Sequence, residues 1–184
     1  MRDLIVTQNI TLDGVIEAVD DWFGPAAGRD DVADVEAALR DQRERADTFL
    51  TGRTTFEAMR SHWHARPDDP TGISAYLDRV AKAVVSRTLG NPRWERTTVL
   101  RGDLAADIGA LKAAPGRDIV TTGSITLVHA LIAADLVDEF RLFTYPVVLG
   151  RGRCLFERPP RTPLVLAEAR AFRSGIVLLR YRRR

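Results

Sequence analysis

The sequence predicts an α/β domain on a mixed, mostly parallel sheet of about eight strands. Three observations carry this. Up to about Asp135, short apolar runs alternate with segments of helical period, the pattern of strand–helix–strand units with parallel neighbours. Beyond it come three strand-like runs with no helix between them, which calls for antiparallel pairing at one edge. No linker rich in Pro, Gly or Ser, no repeat and no low-complexity tract divides the chain, so its 184 residues read as one domain, 1–184.

The elements follow in order. Asp3 to Ile10 is a strand whose Leu4-Ile5-Val6 run suits burial on both faces. Thr11 to Gly28 is a loop with Asp13-Gly14, Gly24-Pro25 and Gly28. Asp31 to Ala46 is helical, with Val32, Val35, Leu39 and Ala46 near one face and charges on the other. Thr48 to Thr51 is the second strand, and Gly52-Arg53-Thr54-Thr55 leads into a short helix, Phe56 to Arg60. A helical turn at Ile73 to Val80 precedes strands at Lys82 to Ser86 and Thr97 to Leu100. Asp103 can cap a helix carrying Leu104, Ile108 and Leu111, which Pro115-Gly116 ends. Asp118 to Thr122 is a strand, and Gly123-Ser124 turns into a helix with Leu127, Val128, Leu131 and Ile132 apolar. The tail strands are Asp138 to Leu149, Pro163 to Phe172 and Gly175 to Arg182, the last two joined at Arg173-Ser174-Gly175.

Composition narrows the function classes. The chain is 45% apolar and 28% charged, with no run near the roughly 20 apolar residues of a membrane span. The N-terminus has no signal-peptide core, and the protein reads as cytoplasmic. Cys154 is the sole cysteine, which excludes an intramolecular disulfide and a cysteine-based zinc site. The isoelectric point is about 9.0, but the net charge is only +2 and the signs are interspersed, so no nucleic-acid partner is expected. Arg182-Arg183-Arg184 reads as a frayed, solvated end rather than a phosphate clamp. His62 and His64 lack partners for a metal site, and His129 and Cys154 read as packing residues.

Four segments could carry chemistry. In Leu50 to Glu57 a strand meets Gly52 and then a helix start. Its unpaired N–H groups, the Arg53 fork and the Thr54 and Thr55 hydroxyls suit an anion, although an ordinary capped turn reads the same way. Ile119 to Leu127 repeats the pattern around Gly123, Ser124, Ile125 and Thr126. Two such sites suggest a ligand with several phosphates across the carboxyl ends of neighbouring strands. In Val84 to Thr88 a strand ends in Ser86-Arg87-Thr88, where Arg87 could meet a 2′-phosphate or simply be solvated. Asn9 to Ile16 ends the first strand in a loop, and Asp13-Gly14 could be no more than a turn. The three-glycine Rossmann pattern after the first strand is missing.

In their order and setting these segments resemble the dihydrofolate-reductase superfamily. The nearer likeness is to the C-terminal reductase domain of bifunctional riboflavin-biosynthesis proteins. Thr11 to Glu17, Leu50 to Glu57, and Leu136 to Leu142 running into Pro146 to Gly152 and Leu155-Phe156 carry it, over nearly the whole chain. The resemblance implies a three-layer dihydrofolate-reductase-like fold. It also implies an NADPH-dependent reductase of a pteridine- or aminopyrimidine-like heterocycle, similar to 5-amino-6-(5-phosphoribosylamino)uracil reductase. A binding module on the same fold that holds a nucleotide or pterin without turnover is the alternative.

On that resemblance, Gly52, Arg53, Thr54 and Thr55 would hold cofactor phosphates. Ser86, Arg87 and Thr88 would flank the adenosine and 2′-phosphate, and Gly123, Ser124, Ile125 and Thr126 would cradle the pyrophosphate. Asn9 and Ile16 would bracket the nicotinamide carboxamide through backbone groups, and Asp13 would touch substrate. The substrate-anchoring carboxylate falls at Glu36 by an ungapped count, with Asp31 or Asp34 in reserve. Ile125 stands where the family usually has a second glycine. A cis peptide between Gly123 and Ser124 is implied as well, as is a homodimer using the tail strands, where the apolar run Phe140 to Leu149 is long for an exposed edge strand. The polar loop Val19 to Asp30 makes a poor folate pocket, so weak activity on dihydrofolate is expected. The zinc ligands of the riboflavin pathway's deaminase half are missing, so the chain is not expected to deaminate.

Overall fold

Leu4-Ile5-Val6 lies in the middle of an eight-stranded sheet with no exposed surface, as its unbroken apolar run requires. The computed structural model describes residues 1–23, 31–66, 68–157 and 161–184. The strands are β1 (Leu4–Thr11), β2 (Ala46–Gly52), β3 (Ala81–Val85), β4 (Thr97–Leu100), β5 (Asp118–Thr121), β6 (Glu139–Tyr145), β7 (Leu164–Ala171) and β8 (Val177–Arg183). Their order across the sheet is β4-β3-β2-β5-β1-β6-β8-β7. Pairs from β4 through β6 are parallel; β6–β8 and β8–β7 are antiparallel. The mixed sheet expected from the sequence is thus present.

Five helices complete three layers: α1 (Ala33–Arg45), α2 (Arg53–Trp63), α3 (Ile73–Arg79), α4 (Leu104–Ala113) and α5 (Ile125–Ala133). Period-2 alternation sorts the strand side chains. Leu4, Val6, Leu50, Phe140 and Leu142 pack with Ile108 of α4 and Leu127, Val128 and Leu131 of α5. Phe49 and Val84 face the other way, onto Phe56 of α2 and Tyr76 and Leu77 of α3. On that same face Phe143 and Tyr145 meet Val35 and Ala38 of α1. As expected, the Asp103 side chain caps α4, accepting from Ala106 N at 3.0 Å. Among the described residues no helix is long and apolar enough to cross a membrane.

Three expectations need correction here. The run from Asp138 does not stay in the sheet to Leu149: β6 ends at Tyr145, where Pro146 has no N–H for the ladder. The following turn is instead tied to the β1 loop, Leu12 N donating to Val147 O at 2.9 Å. Nor is β6 an exposed edge, since β1 and β8 flank it; the edges are β4 and β7. Arg182 and Arg183 are not frayed. Both lie in β8, where Arg182 pairs with Asp3 and Glu139, and Arg183 with Asp135.

The signature Leu136-Val137-Asp138-Glu139-Phe140-Arg141 serves architecture. The Asp138 carboxylate accepts Leu4 N at 2.7 Å and pairs with Lys112 at 2.6 Å, fixing the start of β1. Glu139 has no exposed surface and is the hub of a cluster of arginines. One oxygen accepts from Arg141 Nε at 2.6 Å and Arg180 Nε at 2.8 Å; the other accepts from Arg182 Nη1 at 3.0 Å. The cross-strand register makes this possible, because Arg182 and Arg180 stand opposite Glu139 and Arg141. Burial alone would raise the Glu139 pKa; the hydrogen bonds from Arg180 and Arg141 outweigh it and hold the carboxyl below its ordinary value.

Candidate functional site

The site begins with a difference in strand length. β5 has four residues and stops at Thr121, paired with Val6 of β1. Its other neighbour, β2, matches it only as far as Phe49↔Val120. Both neighbours run on, β1 to Thr11 and β2 to Gly52, and leave a notch at the carboxyl end of the sheet. Ligands of open α/β sheets bind at this end. The notch opens into a cleft of about 1100 Å³, roomy for a dinucleotide against the ~300–1000 Å³ of common ligand sites.

The floor of the notch is a set of hydrogen bonds between segments far apart in sequence. Buried Gln8 grips the backbone of Gly123 on both sides: Nε2 donates to Gly123 O at 2.9 Å and Oε1 accepts Gly123 N at 3.1 Å. Ser124 Oγ accepts Gly52 N at 3.0 Å and lies 3.0 Å from Thr51 Oγ1, while Ser124 N donates to Thr55 Oγ1 at 3.1 Å. These bonds set the starts of α2 and α5 side by side. Gly123 and Ser124 make the turn with φ of +60° and +45°, a region glycine enters without steric cost. No cis peptide is present among the described residues, so the cis bond expected between Gly123 and Ser124 is not formed: two left-handed residues turn the chain instead.

The charges are arranged for an anion. α1 carries Asp34 and Glu36 in its first turn and α4 carries Asp107, the usual complement to the helix dipole. The helices that open on the cleft, α2 and α5, have no acidic residue there. α2 begins with Arg53 itself. Arg53, Arg87, Arg101 and Arg153 all line the cleft, with Glu17 as its sole carboxylate among the described residues. Arg53 and Arg87 are exposed and have no partner among the described residues. Arg101 bonds the carbonyl oxygens of Arg87, at 3.0 Å, and of Leu89, and so braces the Ser86–Leu89 turn. Ser86 Oγ holds the same turn, accepting Thr88 N at 3.2 Å and Leu89 N at 2.9 Å. An NADPH-like ligand fits this donor set: unpaired N–H groups at two helix starts, hydroxyls of Thr54, Thr55 and Thr126, and two unpaired guanidinium groups.

Of the residues expected to bind cofactor, Asn9, Ile16, Gly52, Arg53, Thr54, Thr55, Ser86, Arg87, Gly123, Ser124, Ile125 and Thr126 line this one cleft. Thr88 is not among its lining residues. Ile16 cannot offer its N–H to a carboxamide, because that group donates to Arg153 O at 3.0 Å. Four expected carboxylates, Asp13, Asp31, Asp34 and Glu36, fall outside the cleft lining. Asp13 is consumed by the turn after β6, accepting from Thr11 Oγ1 at 2.5 Å and Gly150 N at 2.7 Å; the Thr11 hydroxyl foremost holds its pKa down. Asp31 pairs with Arg173 at 3.0 Å, and Asp34 accepts Arg173 N at 3.1 Å, so both latch α1 to the β7–β8 turn. Glu36 is exposed on α1. The first-loop residues 24–30 lie outside the described residues.

Gln8, Glu17, Phe23, Arg101, Thr122 and Arg153 also line the cleft and escaped the sequence reading. Two of them left a signal. Gln8 is a polar residue in a strand read as buried on both faces, a position that demands a partner. Arg101-Gly102 ends a strand just before a capped helix, the same arrangement that drew attention to Gly52 and Gly123.

Comparisons with known proteins agree with this layout. A family model described as the RibD C-terminal domain matches residues 2–178. The chain is 31% identical over 186 residues to YyaP of Bacillus subtilis (strain 168), covering 98% of this chain and 94% of that protein, which is described as uncharacterized. Among solved structures, a putative riboflavin biosynthesis protein from Shewanella sp. PV-4 superposes with a TM-score of 0.78 at 20% identity, over 99% of both chains. A deaminase/5-amino-6-(5-phosphoribosylamino)uracil reductase from Thermotoga maritima gives 0.68 at 12% identity; all of this chain matches 57% of that one.

Proposed function

Because the chain belongs to the RibD C-terminal domain family, we propose that it is an NADPH-dependent reductase of a small heterocycle of the pteridine or aminopyrimidine class. The observation that carries this reading is the notch beyond β5, where two helix starts without acidic residues meet the unpaired Arg53 and Arg87. Bound there, the nicotinamide would supply the hydride. The chain's own part is to seat the phosphates on α2 and α5, to hold the ring against the end of β1, and to shield it with Ile16 and Phe23 from the loop after β1. Asp13, Asp31 and Asp34 are otherwise engaged and Glu36 does not line the cleft, so the reading relies on none of them for protonation. The test is NADPH oxidation by purified protein with a panel of aminopyrimidines, pterins and dihydrofolate. Turnover of an aminopyrimidine or pterin, with little on dihydrofolate, is expected. Tight NADPH binding with no turnover on any of them would favour the binding-module alternative.

NADPH should bind about ten- to a hundredfold tighter than NADH, since charge-assisted contacts to a 2′-phosphate are worth roughly 1.5–3 kcal/mol. Arg87→Ala should erase most of that ratio. Calorimetric dissociation constants for both cofactors check it, and equal values in the unaltered protein would reject it.

We also propose a homodimer, with β7 as the strand it covers. β7 is an edge strand with Val165 50% and Leu166 51% exposed, apolar residues that edge strands normally hide. Light scattering at micromolar concentration should give twice the 20.5 kDa chain mass; Val165→Lys with Leu166→Lys should reduce it to one.

A further inference from the structure

Arg153 and Glu17 form a second structure within the same cleft. Arg153 lies in the β6–β7 connection, and its backbone is fixed without help from its side chain. Arg153 O accepts Ile16 N at 3.0 Å, Arg153 N donates to Glu17 Oε2 at 3.0 Å, and the next residue, Cys154, bridges to Val15. The side chain crosses the cleft. Its Nε is 3.3 Å from Glu17 Oε1, and Nη1 reaches Thr126 Oγ1, in the first turn of α5, at 3.5 Å. A guanidinium has five N–H donors. Glu17 takes the Nε edge, one Nη1 hydrogen points to Thr126, and the others have no partner among the described residues.

That placement is unfavourable as it stands. A helix start carries partial positive charge, and a cation brought to it is repelled unless an anion lies between. α5 has no acidic residue in its first turn to supply one. Glu17 cannot fill the seat, because its carboxylate is held on the far edge of the guanidinium by the backbone N–H of Arg153. An arginine aimed at a helix start by a fixed carboxylate, with donors to spare, is arranged for an anion that arrives from solution.

We propose that Arg153 is an additional phosphate contact of the cofactor, and that Glu17 is the positioning residue that aims it at the start of α5. This rests on the NADPH reading above. Arg53, at the start of α2, lines the same cleft, so the phosphates would be held by residues from two distant parts of the chain.

The test compares calorimetric binding of NADPH with that of 2′-phospho-ADP-ribose, which keeps the phosphates and lacks the nicotinamide. Arg153→Gln should weaken both ligands by the same factor, about tenfold or more. Arg153→Lys, which keeps the charge and loses the fork, should fall between. Glu17→Gln should weaken binding by about two- to fivefold in the otherwise unaltered protein and not further when Arg153 is already Gln. Because the backbone bonds of Arg153 persist in every variant, thermal melts should stay close to the parent. Binding by Arg153→Gln equal to the parent's would overturn the assignment. So would a loss seen with NADPH and absent with the fragment, or a Glu17→Gln effect undiminished when Arg153 is Gln. If the parent binds neither ligand, the cofactor reading itself fails; if it binds and Arg153→Gln matches it, only the Arg153 assignment does.

Discussion

Glu139→Ala should destabilise the fold by about 3 kcal/mol or more, because removing one partner of a buried ion pair strands the others. Arg141, whose side chain is only 7% exposed, would keep one carboxylate, Asp118, at 3.6 Å. Arg180 and Arg182 would keep Glu168 and Asp3 and are better hydrated, which limits the loss. Glu139→Gln should cost less, since the amide oxygen still accepts. Urea unfolding measures both, and a change below about 1 kcal/mol for alanine would show that the hub is dispensable. The acid limb gives a second check. The folded pKa of Glu139 lies below its ordinary 4.5, so its stabilisation is complete above that value and is lost as pH falls through the folded pKa. The loss of stability below pH 4.5 should therefore be shallower in Glu139→Gln. Asp118, raised chiefly by burial, acts in the opposite sense and offsets part of the slope.

Gln8→Leu should have the second large effect, on the site and the fold together. It leaves the N–H and C=O of Gly123 without their partner in a part-buried position, at about 1–3 kcal/mol for each unsatisfied group. Leucine is close in size and suits an apolar strand, so packing does not explain the loss. With the Gly123 turn released, only the Ser124 bonds still hold the start of α5 against Gly52, and NADPH affinity should fall by about tenfold or more. Gln8→Glu separates the effects: it can still accept Gly123 N, but it cannot donate to Gly123 O when ionised. Unfolding curves and cofactor titration read both losses. Unchanged cofactor binding in Gln8→Leu would show that the α2–α5 arrangement holds without this clamp.

The parts legible in the sequence are those set by local pattern. The apolar run of β1, the period-3.6 faces of α4 and α5, the Asp103 cap and the Gly52 and Gly123 turns all declare themselves within a few residues. Most of the cleft-lining residues expected from the sequence follow, since they lie at or just beyond a strand end. What stayed hidden depends on partners distant in the chain. The place of Gln8 in a buried strand signals that it needs a partner but not that the partner is Gly123, and nothing local shows that Arg173 draws Asp31 and Asp34 out of the role expected of them. The ungapped count that chose Glu36 fixed a position along α1 but not which way α1 would turn. Arg182 looked like part of a solvated tail because Glu139, the group it neutralises, belongs to the neighbouring strand β6.

The strand order also governs what happens while the chain is being made. β1 is synthesised first, yet its neighbours are β5 and β6, and β2 does not touch it. Until Thr121 has been added, β1 has no native strand to pair with, while β2, β3 and β4 can already assemble on one another. At ribosomal rates of ~5–20 residues per second, the segment Leu4-Ile5-Val6 waits roughly 5–20 s for its first sheet neighbour. The inserted strand that creates the notch thus also leaves a wholly apolar segment without its sheet neighbours for much of synthesis.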